Sequence, residues 1–455
     1  MKDESAISAG TIRRRRVAVR IAVVALLMEA AYAALYIPGG PRIVFYVAAG
    51  IVNSVLYLLL VVLLRKWEWG DDRRFLFLII AAGVLFRLTV LPSPPVGSDD
   101  LYRYIWDGKV QHAGIDPYRY APSSDSLLAF HSAMLPSRVT FPDMKTIYPP
   151  LSEWYFAAVF ACAGESVLGF KIAAAIVDAV TVLLLIVVLR KFRMPLRYAA
   201  LYCWSPLSVL QFALDGHCDV LMFPFVLAGV LCAVRGRDLV GAGLLGLAAA
   251  AKLFPLILLP ALFRRHNWRR RALLILTAAA VPAAAYLPSL VSGSSPFESV
   301  RIYSLNWAAN GFLFELCYAV VRNNQTAHVI MSLVWIGWAL FVLRRGGEII
   351  DMMCALLFGF FLCSATVYPW YVAMLVLLLP FRPRWDILSL AVLVNLGTIP
   401  WIRYVTAGEW RNPLWLMAIE YLPVFAAAWL YYRPPGGRLL PPMLTPDRPQ
   451  SAATA

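Results

Sequence analysis

Two adjacent carboxylates, Asp99 and Asp100, are the residues of this sequence best placed for acid–base chemistry. The aromatic and basic side chains that could hold a substrate beside them follow at once: Tyr102, Arg103, Tyr104, Trp106 and Lys109. An ionised carboxylate can take a proton from a hydroxyl group, aromatic rings can stack on sugars, and cations can hold a phosphate. Acidic residues in a first helical turn also complement the helix dipole without doing chemistry. The pattern permits a general base and leaves the structural role open.

The same segment predicts the element that carries the two carboxylates. Ser98 can cap a helix that starts at Asp99, and Leu101 and Ile105 belong to an apolar stripe at helical spacing. Gly114 can end this helix. We therefore expect a short amphipathic helix lying on the membrane face, with both carboxylates at its N-terminus.

Other candidates lie inside or between apolar runs. Lys252 is in an apolar stretch, where a charge needs a partner or a water-filled cavity unless it snorkels to an interface. His217 and Asp219 lie at a turn, where Asp219 could orient a substrate or help to hold a metal; His-x-Asp alone does not define a metal site, and Asp and Gly are common in turns. Tyr368 and Trp370 are typical of an aromatic belt at the membrane interface, with contact to a bound lipid as the alternative.

Several basic side chains are candidates for holding a phosphate. Arg103 could instead form a helix salt bridge with Asp99 or Asp107. The full set of phosphate candidates is Arg103, Lys109, Lys252, Arg301 and Arg403.

The amino-acid composition indicates a protein that is embedded in a lipid bilayer. The 455 residues are 61% hydrophobic and only 15% charged, too few to cover a soluble domain. The net charge of +15 does not indicate a nucleic-acid partner, because the basic residues form short clusters between apolar runs. Such clusters, among them 13–16, 190–197 and 264–271, follow the positive-inside rule for cytoplasmic loops. We expect a multi-pass protein of the cytoplasmic (inner) membrane with its N-terminus in the cytoplasm.

Apolar runs of about 20 residues mark membrane-crossing helices. They predict an all-α polytopic bundle of roughly 11 to 14 such helices, with a large external loop that carries amphipathic helices. The run 148–189 is long enough for two helices, and Lys252 and Pro255 could break 240–262 into a re-entrant hairpin. The predicted segments are a cytoplasmic tail (1–16), N-terminal transmembrane helices (17–91), an external catalytic loop (92–147), a transmembrane core (148–432) and a disordered cytoplasmic tail (433–455).

A series of short motifs resembles those of a known enzyme class. The run Asp99-Asp100-Leu101-Tyr102-Arg103-Tyr104 resembles the acidic motif in the first large external loop of GT-C-type glycosyltransferases. Four further matches follow in order: Tyr148-Pro149-Pro150-Leu151 with Trp154, Gly216-His217-Cys218-Asp219, Lys252-Leu253-Phe254-Pro255-Leu256 and Tyr368-Pro369-Trp370-Tyr371. Together, over 97–381, they are similar to the bacterial mannosyltransferases of glycosyltransferase family 87. The sequence departs from the GT-C plan in having three helices rather than one before the acidic loop.

The resemblance implies an inverting hexosyltransferase, most simply a mannosyltransferase, that acts on the outer face of the membrane. Its donor would be a polyprenyl-phosphate-linked sugar and its acceptor a glycan or glycolipid. Aligning the motifs favours Asp99 as the general base, with Asp100 close behind. Tyr148, His217, Asp219, Lys252, Arg301, Tyr368 and Trp370 would bind substrate together with the side chains that follow Asp100. No cofactor is required, and a divalent metal is permitted.

Two other function classes stay open. A secondary transporter or lipid flippase would use intramembrane charges such as Arg87, Asp178 and Lys252 and a helix broken near Pro255, yet no internal repeat is evident. A non-catalytic membrane scaffold would leave the acidic pair unexplained. The sequence contains neither a P-loop pattern nor a dinucleotide-binding fingerprint, which argues against a soluble nucleotide-binding domain.

Overall fold

The structure is a computed structural model that describes residues 2–67, 73–409 and 412–433. Over these ranges it consists of helices and loops, and strand-like pairing is limited to isolated bridges from Ala309 and Asn310 to Thr366. The predicted all-α membrane class is confirmed. Residues 434–455 of the predicted disordered tail lie outside the described residues.

Three helices precede the acidic segment, as the apolar runs predict: α1 (Lys2–Ala33), α2 (Arg42–Arg65) and α3 (Arg73–Val90). Arg87 of α3 forms a buried ion pair with Asp178 of α6 (Val167–Lys191), with 2.5 Å between Arg87 Nε and Asp178 Oδ2. Tyr202 donates a hydrogen bond to the other Asp178 oxygen, and Arg87 also donates to the carbonyl of Cys203. These charges are therefore explained by helix packing, because each has its partner inside the bundle.

The segment after α3 contains α4 (Asp100–His112), a 3-10 turn (Asp125–Phe130) and the start of α5 (Pro150–Ala163). Helix α4 begins one residue later than expected, and the Ser98 hydroxyl accepts a hydrogen bond from the Asp100 N–H at 3.1 Å. Helix α4 is enclosed by protein rather than open along one face, because every residue from Leu101 to Gly108 is buried. Its place at the membrane face stays a prediction. The loop after α4 folds back over the helix, and Leu127, Leu135 and Val139 join its core. The carboxylates are thus held on an enclosed element.

The core continues with α6 (Val167–Lys191), α7 (Ala200–Cys203), α8 (Pro206–Ser208), a π-helix (Val209–Leu214), α9 (Phe223–Val234), α10 (Asp238–Ala251) and α11 (Trp268–Val291). The run 148–189 forms two helices, as expected. The break near Lys252 is also confirmed, because α10 ends at Ala251 and a 3-10 helix spans Phe254–Arg265. A second break bends the chain by 110° between Leu214 and Cys218, and it places Asp215, His217 and Asp219 at one turn.

The C-terminal part contains α12 (Glu298–Asn306), α13 (Phe312–Val321), α14 (Asn324–Arg345), α15 (Ile349–Cys363), α16 (Pro369–Leu378), α17 (Trp385–Leu393), α18 (Ile399–Ala407) and α19 (Leu414–Tyr432). Among the described residues, seven helices are long and apolar enough to cross a bilayer, and the bent pair would make an eighth. Five shorter apolar helices accompany them. The protein is therefore a multi-pass membrane protein, while the count of 11 to 14 crossings and the segment boundaries stay predictions.

Candidate active site

A cavity of about 660 Å³ opens where the acidic segment before α4 meets the loops before α5, α13 and α16 and the helices α12 and α18. We call it the acidic cavity, because Asp99 and Asp100 both line it. Aromatic and basic side chains form much of its remaining wall: Arg103, Phe141, Lys145, Tyr148, Lys252, Tyr303, Trp307, Tyr368, Trp370, Tyr371, Trp401 and Tyr404. Rings and cations around two carboxylates suit a polar, ring-shaped ligand that carries a negative group.

A second cavity of about 370 Å³ adjoins the first, and we call it the apolar cavity. The two share Ile147, Tyr148, Lys252, Tyr303, Trp307 and Tyr371. The rest of its wall is mainly apolar and includes Phe254, Met331, Trp335 and Phe360. Helix α14 supplies part of this wall, and its outer residues Val329 and Leu333 are 59% and 61% exposed, as expected of a lipid-facing helix.

Asp99 and Asp100 differ in their surroundings. Asp99 precedes the helix on the open side of the cavity, where burial raises the pKa of its carboxyl and Arg138 opposes that rise. Asp100 points inward, its Oδ2 lies 3.8 Å from His217 Nδ1, and its side chain is 35% exposed. Removal of water around Asp100 raises its pKa to about 6; Lys252 opposes the rise, and Asp219 and Asp99 add to it. Asp100 is therefore a carboxylate poised to gain and lose a proton near neutral pH.

Lys252 is the cation at the junction of the two cavities. It directly follows the end of α10, and its backbone is extended. Its Nζ lies 3.3 Å from Asp219 Oδ1, 5.2 Å from the ring centre of Tyr148 and 5.1 Å from that of Tyr371. The expected partner for this intramembrane charge is thus Asp219, which is fully buried behind it.

A stack of three rings closes the inner wall. The ring of Tyr368 lies 4.3 Å from that of Trp370, and Trp370 lies 3.9 Å from the imidazole of His217, both nearly parallel. His217 is fully buried, and none of the described residues forms a hydrogen bond with either ring nitrogen. The stack fixes the imidazole next to Asp100, at a distance that allows electrostatic contact but is too long for a hydrogen bond.

The structure brings only part of the predicted set to the cavities. Asp99, Asp100, Arg103, Tyr148, Lys252, Tyr368 and Trp370 line them, and His217 and Asp219 lie directly behind. Arg103 is largely occupied by Asp107, four residues along the same helix, at 2.8 Å.

The remaining predicted residues lie elsewhere. Lys109 pairs with Glu165 at 2.5 Å, and Arg301 is exposed on α12. Tyr102 accepts a hydrogen bond from Arg138, Tyr104 stacks on Phe156, and Trp106 packs edge-on against His131. These three aromatic residues form the core that supports α4.

Sequence reasoning missed several wall residues. Tyr303 and Trp307 lie four positions apart at the end of α12, and their rings stack at 5.3 Å. Two aromatic residues at helical spacing are a signal that the sequence offers. Tyr371 belongs to a motif already noted, whereas Trp401 and Tyr404 could not be placed, because α18 reaches the cavity only through tertiary packing.

Within the described ranges, no three His, Cys, Asp or Glu side chains are grouped in a way that could hold a metal ion. The positive charge that faces Asp100 in the cavity comes from Lys252.

Fold and site together define an all-helical multi-pass membrane protein with an acidic, aromatic-walled cavity joined to an apolar one. The family described as alpha-(1->6)-mannopyranosyltransferase, N-terminal domain, matches residues 5–265. The chain belongs to this family, and the match includes the acidic segment, the 215–219 turn and Lys252.

Two mycobacterial proteins are similar to the chain. An alpha-(1->6)-mannopyranosyltransferase of Mycobacterium tuberculosis is 26% identical over 160 residues, which cover 34% of this chain and 27% of the relative. A probable alpha-(1->6)-mannopyranosyltransferase of Mycolicibacterium smegmatis is 25% identical over 296 residues, which cover 63% of this chain and 50% of the relative. The matched regions thus span half or less of each relative's length.

Proposed function

We propose that this protein transfers a mannosyl unit from a polyprenyl-phosphate-linked donor to a glycan or glycolipid acceptor. The single observation that carries the proposal is the position of Lys252, which lines both cavities and shares the acidic one with Asp100. Family membership supports the sugar, and the geometry supports the form of the donor.

The apolar cavity suits the lipid part of the donor. It is bordered by α14, whose outer face is apolar and exposed, so a prenyl chain could enter from the bilayer rather than from water. The donor phosphate would then lie at the junction, where Lys252 provides an ammonium group between two aromatic rings. The sugar would project into the acidic cavity, beside the stack of Tyr368 and Trp370.

The reaction proposed is a single displacement at the anomeric carbon. The acceptor hydroxyl attacks this carbon, its proton passes to the Asp100 carboxylate, and the bond from the anomeric carbon to the phosphate oxygen breaks. The polyprenyl phosphate leaves with the bonding electrons, and Lys252 stabilises the charge that develops on it. Geometry favours Asp100 over Asp99 as the base, because Asp100 points inward towards Lys252 and His217.

The orientation proposed puts the acidic cavity on the outer face of the cytoplasmic membrane and the N-terminus inside. Helix α14 runs from the apolar cavity, at His328, to a third cavity that Arg264 and Arg382 line at its other end. The basic loops 190–197, 264–271 and 344–345 follow or precede the helices at that opposite end. The positive-inside rule places such loops in the cytoplasm.

The test is a donor comparison with the purified full chain in lipid nanodiscs. Radiolabelled polyprenyl-phosphate mannose and GDP-mannose are each supplied with an α-(1→6)-linked mannooligosaccharide, and elongation is followed by chromatography. We expect elongation from the lipid-linked donor alone. Elongation from the nucleotide sugar alone, or from neither donor in the presence of this mannooligosaccharide, would contradict the proposal.

A further inference from the structure

The segment between α3 and α4 is held at two points by buried charged side chains that line neither of the two adjoining cavities. Lys171 of α6 donates hydrogen bonds to the carbonyl of Leu91 at 2.6 Å and to that of Ser93, just after α3 ends. Asp215 accepts hydrogen bonds from the N–H groups of Val96 and Gly97 at 2.8 and 2.9 Å through one carboxylate oxygen. Both charged side chains are 1% exposed.

These contacts satisfy backbone groups that regular structure leaves unpaired. The carbonyls of Leu91 and Ser93 lie beyond the end of α3 and have no helical partner, and the N–H groups of an irregular loop need acceptors when they are buried. An ammonium and a carboxylate are the strongest donor and acceptor for these groups, since charged hydrogen bonds are roughly twice as strong as neutral ones. The short loop is therefore fixed from both sides.

Two glycines show how closely the 215–217 turn packs on this segment. A Cβ at Gly97 would lie 2.3 Å from the Tyr46 hydroxyl and 2.6 Å from Asp215 Oδ2. A Cβ at Gly216, whose φ is +71°, would lie 2.4 Å from Leu101 Cδ1. The turn thus touches the chain immediately before and immediately after the two carboxylates.

We propose that Asp215, assisted by Lys171, is a positioning residue that sets where the Asp100 carboxylate lies in the acidic cavity. Only two hydrogen bonds separate Asp215 from Asp100. Asp215 accepts one from the Gly97 N–H, and the hydroxyl of the next residue, Ser98, accepts one from the Asp100 N–H. A displacement of about 1 Å at a reacting group can lower a rate by about 100-fold, so fixing this loop has a large effect on the rate. The activity readout rests on the proposed function, whereas the loop contact can be measured without it.

The experiment combines hydrogen exchange of a peptide covering 92–100 with transfer kinetics for Asp215→Ala and Asp215→Asn. We expect Asp215→Ala to speed exchange at the Val96 and Gly97 amides at least tenfold and to lower kcat/KM by about 100-fold. The acid limb of its pH profile should also move down from about 6, because a displaced Asp100 regains water.

Asp215→Asn keeps one oxygen at the accepting position, so its kcat/KM should be only about tenfold below that of wild type. Asp125→Ala, an exposed acid in the same external loop, is the matched control and should match wild type.

A second variant covers the case in which Asp215→Ala fails to fold. Gly97→Ala pushes the same contact apart and removes no charge, so it should also speed exchange across 92–100. Wild-type exchange in whichever of the two variants folds would overturn the proposal, as would an unshifted acid limb in Asp215→Ala. If wild type transfers no sugar, the proposed function fails while the exchange measurement still decides the role of Asp215.

Discussion

Replacing Asp100 with Asn should separate catalysis from stability in a way that depends on pH. The variant removes the proposed base and keeps the size of the side chain, so transfer should fall by about 100- to 10,000-fold, the usual contribution of a general base. Wild-type kcat/KM should fall as pH drops through about 6, where Asp100 becomes protonated. Asp125→Asn, in the same loop, should keep the wild-type profile.

The same substitution should make the protein more stable at neutral pH. Because folding raises the pKa of Asp100, the folded state favours the protonated acid, and this contribution to stability is lost as pH rises through about 6. A pKa difference from 3.8 to about 6 corresponds to roughly 3 kcal/mol, and exposure of 35% of the side chain reduces it to about 1 kcal/mol. Asn carries no charge, so Asp100→Asn should unfold about 1–2 °C higher than wild type at pH 7.5 and at nearly the same temperature at pH 4.

The assay is a transfer rate from pH 4.5 to 8.5 together with thermal unfolding of the detergent-solubilised proteins at pH 4 and 7.5. Asp99→Asn is measured in parallel, because aligning the motifs favours Asp99 as base and the geometry favours Asp100. An Asp100→Asn protein that keeps more than a tenth of the activity would refute the assignment. So would a wild-type acid limb near the ordinary value of 3.8.

Three further predictions test the neighbouring parts of the site. Lys252→Met should abolish transfer and destabilise the fold by about 3 kcal/mol, because it leaves the buried Asp219 carboxylate without its cation. Adding Asp219→Asn should restore the unfolding temperature but not the transfer. If the product has the α-(1→6) linkage named for the relatives, inversion requires a β-linked donor, so an α-linked polyprenyl-phosphate mannose should give no product above background. In intact cells, a membrane-impermeant thiol reagent should label Asp125→Cys and leave Arg269→Cys unlabelled; the reverse pattern would invert the proposed orientation.

The sequence predicts the position of a helix well wherever the residues of that helix alone determine where it begins and ends. The long apolar runs become α2, α11 and α19, and the run that holds Lys252 and Pro255 is broken because proline disfavours helical geometry at the residues before it. Helix α4 has the predicted apolar stripe, but its polar face is also covered. That cover comes from the loop after α4, whose path depends on contacts that no local pattern encodes.

The site was predictable to the extent that its residues carry unusual local features. The sequence shows two adjacent acids, Asp99 and Asp100, and a lysine, Lys252, within an apolar run. Each of these residues lines the acidic cavity. The pairing of Lys252 with Asp219, 33 positions away, could not be read from the sequence, because it depends on how two broken helices meet. Lys109 looked equally suited to phosphate binding, yet the helix turns it away from the cavity and towards Glu165.

The most direct test of the central claim is an experimental structure of the full chain bound to a non-hydrolysable polyprenyl-phosphonate mannose. If the proposed donor arrangement is right, the phosphonate lies within about 4 Å of Lys252 Nζ, the prenyl chain lies in the apolar cavity along α14, and the mannose faces Asp100. A phosphonate ordered near Arg264 and Arg382 at the opposite end, or a mannose turned away from Asp100, would contradict it.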